Sequence, residues 1–130
     1  MKMKLQEIGM ETHKCQVCSE KFTGRKKKYC SQTCADRAAN LKRRYGLTSE
    51  EVVNMYRKQS GRCGICDIPV DIHELGFTKH TPACIDHLHG SSHIRGLLCN
   101  ECNKGLGMFK DNRKNLQSAI DYLTRTYKKD

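Results

Sequence analysis

Apolar residues recur at helical spacing in three stretches of this chain, and nowhere do they form a long unbroken run. Cys34, Ala38, Leu41 and Tyr45 share one face of a helix predicted over Ala35–Tyr45 and ended by Gly46. Thr48-x-x-Glu51 reads as a capping box for a second helix, with Val52, Met55, Tyr56 and Gln59 on one face and Gly61 as its stop. A third stripe, Leu116, Ala119, Ile120, Leu123 and Tyr127, is expected to pack on the core of its own domain or to mediate a homodimer. Elsewhere the pattern shortens. Ala83–His89 and Ile94–Leu98 read as strands around the turn Gly90-Ser91-Ser92, followed by a short helix over Cys99–Leu106. Asp67–Pro82, with Pro69, Gly76 and Pro82, is expected to form loops with a short hairpin, and residues 1–13 a mobile leader.

So short a set of apolar faces makes a marginal core for 130 residues. The cysteines change that picture. There are nine, an odd number, and eight fall into closely spaced pairs, which argues for reduced, metal-bound thiols rather than a secreted disulfide scaffold. Cys15, Cys18, Cys30 and Cys34 form one expected zinc site, with Phe22 as an apolar anchor and the last pair at a helix start, as in a treble-clef finger. Cys63, Cys66, Cys99 and Cys102 form a second, which would clamp the short helix onto the chain preceding the strands. Both zinc ions are expected to be structural. Cys84, the ninth cysteine, is expected to pack as a small buried hydrophobe.

Charge then points to the partner. The formal net charge is +10, and 15 of the 24 Lys and Arg residues precede Cys63, against 6 of the 14 acids. The runs Arg25-Lys26-Lys27-Lys28 and Lys42-Arg43-Arg44 mark the first module as a phosphate-contacting surface, a source of affinity rather than of sequence choice. No apolar leader opens the chain and no run approaches the ~20 residues of a membrane span, so a cytoplasmic protein with no membrane role is expected.

Around the second quartet lie groups that thiolate-bound zinc does not need. Asp86 and Asn103 are oxygen donors suited to Mg2+ or Mn2+, and His87 is the candidate general base. His89 would hold a phosphate or join the metal, and Arg95 would reach a phosphate from the second strand. Taken singly, these residues would pass for a polar strand edge, a helix cap and a surface charge. Their joint placement beside a four-cysteine clamp favours phosphodiester chemistry. Ideal alternation puts Asp86 and His87 on opposite faces, so this reading requires the strand to bend or end there. His73, His80 and His93 are expected to be polar residues without ligand roles.

Cys63-x-x-Cys66, Ile85-Asp86-His87-x-His89, Ile94-Arg95-Gly96-Leu97-Leu98-Cys99-Asn100-x-Cys102-Asn103 and Gly107 together resemble the recombination endonuclease VII family, within the His-Asn-His or ββα-metal nucleases. The resemblance spans roughly residues 45–127. It implies Mg2+-dependent DNA cleavage in a bacterial or phage-infected cell, with Asp86 and Asn103 as metal ligands, His87 as base, and His89 near metal and phosphate. Many relatives carry an acid where this chain has Leu88. The expected fold is α+β: a basic treble-clef-like finger in residues 1–45, then a zinc-stapled ββα-metal nuclease domain in residues 46–130. Expected activity is hydrolysis of DNA phosphodiesters, on branched DNA or Holliday junctions or as nicking. The alternative, from a different class, is a non-catalytic zinc protein that binds nucleic acid.

Overall fold

Ser31 and Gly46 set the limits of the longest helix in the computed structural model, which describes residues 11–24, 28–72 and 80–128. Arg25, Lys26, Lys27 and His73 lie outside the described residues. Strands β1 (Glu11–Lys14) and β2 (Lys21–Gly24) pair antiparallel with Lys14 opposite Lys21, so Cys15–Cys18 occupy the connection between them. Residues 11–13 thus belong to a paired strand and not to the leader expected there. Helix α1 (Gln32–Tyr45) starts three residues before the predicted position because Ser31 caps it: its hydroxyl accepts from the Cys34 amide at 3.2 Å. Gly46, at φ 68°, adopts the left-handed conformation that closes the helix as predicted. Cys15, Val17 and Cys34 are buried together, with Phe22, Tyr29 and Ala38 packed against them.

Helix α2 (Ser49–Lys58) opens on the expected capping box: the Glu51 amide donates to the Thr48 hydroxyl at 3.2 Å, and the Thr48 amide to the Glu51 carboxylate at 2.7 Å. It ends at Gln59, two residues before the predicted stop, while Gly61 takes the left-handed turn just beyond. Gln59 does more than cap. Its side-chain amide donates to the Leu97 carbonyl and accepts from the Leu97 amide, each at 2.8 Å, and also donates to the Arg62 carbonyl at 2.9 Å. One side chain here does for an edge strand what a neighbouring strand would do.

The remaining strands are short. β3 (Val70–Asp71) pairs in parallel with β4 (Thr81–Pro82), where a hairpin was expected; parallel pairing needs a longer connection than a tight turn provides. β5 (Cys84–His87) pairs antiparallel with β6 (Ile94–Leu98), and α3 (Asn100–Met108) follows directly, making a ββα unit. β5 stops short of the predicted His89, and α3 runs past Leu106. Leu97 and Leu98, adjacent on β6, are buried in different clusters: Leu97 with Leu41, Val52 and Ile72, and Leu98 with Cys63, Val70 and Cys99. Burial on both faces makes β6 the spine of the unit. Tyr45 also packs on the Leu97 cluster, so the carboxyl-terminal half of α1 shares the core of the ββα unit.

Helix α4 (Arg113–Leu123) contains no buried residue. Leu116 and Ala119 are half-buried, whereas Ile120, Leu123 and Tyr127 are exposed, Tyr127 lying past the helix. Most of that stripe therefore does not pack on the domain's own core. No helix of the described residues is long and apolar enough to cross a membrane.

Candidate active site and metal centres

Each cysteine quartet draws together from two places in the chain: a Cys-x-x-Cys knuckle and a helix start. Within each, one sulfur per residue lies within 4.8 Å of all the others. Cys18 and Cys30 are 3.4 Å apart, Cys30 and Cys34 3.7 Å, and Cys66 and Cys99 3.7 Å. Zn–S bonds of ~2.3 Å in a tetrahedron place sulfurs ~3.8 Å apart, so donor chemistry and spacing both fit Zn2+. The two knuckles are built alike. The amides of Cys15 and Cys63 donate to residues five positions on, Glu20 and Ile68, at 2.9 and 2.8 Å, and Ser19 and Asp67 donate back to Cys15 and Cys63. Ser19 and Asp67 both hold φ near 65° (64° and 65°), a left-handed residue just after the second cysteine of each knuckle.

This folding aims backbone N–H groups at sulfur. The Ile65 amide lies 3.4 Å from the Cys63 sulfur and the Cys102 amide 3.3 Å from that of Cys99. Burial raises the Cys63 and Cys15 thiols, but backbone N–H donors outweigh it and bring each down to about 6. Their partners Cys18 and Cys102, with less such help, are pushed up by burial to about 12. The backbone thus favours the thiolate at Cys15 and at Cys63, the form in which a cysteine would hold a divalent cation.

The strand pair carries the second kind of site. Cys84, Ile85 and Asp86 stand opposite Leu98, Leu97 and Gly96, but His87 stands opposite Ile94, so Arg95 is an extra residue without a partner in register. A β-bulge of this kind bends and twists the strands locally. It answers the alternation problem: Asp86 and His87, sequence neighbours, both line one cleft of about 460 Å³. Gly96 belongs to the same device. A Cβ there would meet the Gln59 amide oxygen at 2.8 Å, so a side chain at this position would push the Gln59 brace aside.

His89 and Asn103 line that cleft too. Asn103 is fixed one position past Cys102, on the first turns of α3, and its amide donates to the Cys99 carbonyl at 3.0 Å. His87 is half-buried, and His89 extends into solvent with its ring centroid 5.5 Å from that of His87. Three lining residues with titratable side chains were not anticipated: Tyr45, Cys84 and Asp111. Tyr45 sets its ring edge-on to His87, centroids 5.7 Å apart, and Arg44 lies over the Tyr45 ring at 5.5 Å. Cys84 is half-buried on the wall of the cleft, a correction to its expected place in the core. Asp111 returns to the site because Lys110 and Asp111 are both left-handed, at φ 55° and 52°, turning the chain sharply after α3.

Arg95 joins these acids. Its Nε donates to Asp86 Oδ2 at 2.7 Å and one Nη to Asp86 Oδ1 at 3.0 Å, while the same Nη reaches Asp111 Oδ2 at 3.1 Å. Asp111 in turn lies 3.7 Å from His89 Nε2. Donation to Asp86, then to Asp111, raises the guanidinium pKa further above its ordinary range. A carboxylate as buried as Asp86, 8% exposed, needs such a partner. Lys42, Arg43 and Arg44 are exposed on the last turn of α1, which ends at the cleft residue Tyr45, and Lys28 is exposed on the finger.

Two antiparallel strands and a helix, stapled through one cysteine quartet and carrying acid, imidazole and carboxamide on one cleft, define a zinc-stapled ββα protein of the α+β class. The chain belongs to the recombination endonuclease VII family, whose model matches residues 38–125. It is similar to the Gene 59 protein of Mycobacterium phage D29, 42% identical over 82 residues, covering 62% of this chain and 46% of that protein. The Gene 59 protein of Mycobacterium phage L5 is 38% identical over 80 residues, covering 61% and 44%. The chain thus spans less than half the length of these relatives.

Proposed function

We propose that this chain is a DNA endonuclease that hydrolyses phosphodiester bonds with Mg2+ or Mn2+, its fold held by two structural zinc ions. The observation that supports this best is the shared cleft of Asp86, His87, His89 and Asn103, which adjacent strand positions reach only through the bulge at Arg95. Asp86 and Asn103 offer the hard oxygen donors for the catalytic ion. When bound, that ion offsets charge on the phosphate and on the leaving oxygen. His87 accepts the proton of the attacking water, its ring held between Tyr45 and His89. His89, at the mouth of the cleft, holds the phosphate or completes the ion's ligands. The cations of α1's last turn, with those of the finger, bring the DNA backbone to the cleft. The proposed substrates are duplex DNA, cut by nicking, or branched DNA, including Holliday junctions.

Supercoiled, linear, single-stranded and four-way-junction DNA incubated with Mg2+ or Mn2+ tests the reading. Wild-type protein is expected to cut at least one form, and His87→Ala to bind the same DNA while cutting ~10²-fold more slowly. A folded, zinc-loaded wild type that cuts none of them returns the chain to the non-catalytic binding class. Equal cutting by His87→Ala would leave a nuclease with a different base.

A further inference from the structure

Asp86 cannot serve a cation and Arg95 in the same way at once. Both of its carboxylate oxygens are engaged by the Arg95 fork, at 2.7 and 3.0 Å, and the side chain is nine-tenths buried. Arg95 differs from an ordinary ion-pair partner in two respects. It is the extra residue of the bulge, so its position is set by the strand irregularity and not by the ladder. It also already touches a second acid, Asp111, through the Nη that it shares with Asp86.

We propose that Arg95 is an internal counter-cation that occupies the Asp86 carboxylate until a divalent ion takes its place, and that Asp111 then retains the guanidinium within the site. This rests on the metal-dependent reading above. The physical reason is charge balance at a buried carboxylate: Asp86 left alone would be costly, and an arginine partner makes the ion-free protein foldable. The second acid keeps the exchange shallow. A guanidinium that leaves Asp86 while holding Asp111 avoids becoming an uncompensated charge. Two left-handed residues in the turn after α3 are the local strain that places Asp111 there. Once freed from Asp86, the guanidinium stands beside the cation ligands with its remaining donors available to a phosphate oxygen, so ion binding and backbone binding would reinforce each other.

Mn2+ binding to zinc-loaded protein without DNA, read from the loss of the free-Mn2+ paramagnetic resonance signal, tests this, with Asp86→Ala as the blank. Arg95→Met is expected to bind Mn2+ about tenfold more tightly than wild type, since no cation competes for Asp86. Arg95→Lys keeps a charge beside Asp86 and so protects the fold, but an ammonium cannot hold both oxygens. It should bind severalfold more tightly, and it decides the matter if Arg95→Met fails to fold. Asp111→Asn should weaken Mn2+ binding severalfold in wild type and less in the Arg95→Met or Arg95→Lys background. Arginine variants that bind no more tightly than wild type overturn the counter-cation role alone. Equal loss from Asp111→Asn in every background overturns the part given to Asp111. Absence of any Asp86-dependent Mn2+ binding overturns both this exchange and the metal-dependent reading.

Discussion

Gln59 carries more of this fold than its size suggests. Its amide spans both polar groups of Leu97, a residue only 1% exposed, so nothing else in solvent can replace the bond to that backbone N–H. Removing the side chain leaves a buried donor unpaired, at a cost of about 2 kcal/mol. Gln59→Ala should therefore lower the melting temperature by roughly 5–10 °C, read by circular dichroism on the zinc-loaded protein. Gln59→Glu should be no better, because a carboxylate cannot donate to the Leu97 and Arg62 carbonyls. A melting temperature unchanged by either variant would mean that β6 does not depend on this brace.

Among the elements, the two knuckles show what local chemistry can write twice. Ser19 and Asp67 pass through the left-handed region so that the chain can turn back and present N–H groups to sulfur. A β-branched residue resists that backbone, whereas glycine accepts it. Asp67→Val should accelerate zinc transfer to a chromogenic chelator, and Asp67→Gly should leave it unchanged or slower, with two zinc ions per chain released in all. Fewer than two from folded protein would remove the double staple. The same scale shows what was legible in the sequence. Cysteine spacing, the Thr48 box, Gly46 and the Asp86–His89 cluster are patterns within one segment, and segments were where periodicity and caps could be read. The bulge was not legible, because it arises in the pairing of two strands: β5 alternates normally up to Asp86, and the irregular residue, Arg95, lies on its partner. Asp111 escaped for a similar reason. Eight positions past Asn103 and beyond a helix end, it reaches the cleft only through a turn whose backbone no residue-type pattern announced.

For the whole molecule, electrostatics set the expected behaviour on DNA. Lys42, Arg43 and Arg44 form an exposed basic turn that ends at Tyr45 of the cleft. Phosphates neutralised there would show as salt dependence, with about one unit of slope carried by each cation that pairs with the backbone. Replacing all three by Gln should weaken binding and reduce the slope of log affinity against log salt by up to ~3, while the melting temperature and zinc content hold. An unchanged slope would assign the phosphate-binding role to the finger or to another face.

Helix α1 holds Cys34, a member of the first cysteine quartet, in its first turn and Tyr45, against His87, at its last residue. At 1.5 Å per residue those eleven steps make a stiff rod of ~16 Å, roughly five base steps of duplex. If the finger grips DNA, the helix is then a ruler: it fixes how far from that grip the strand is cut. One added residue would turn the finger about 100° around the rod, and the cut would move with it or be lost.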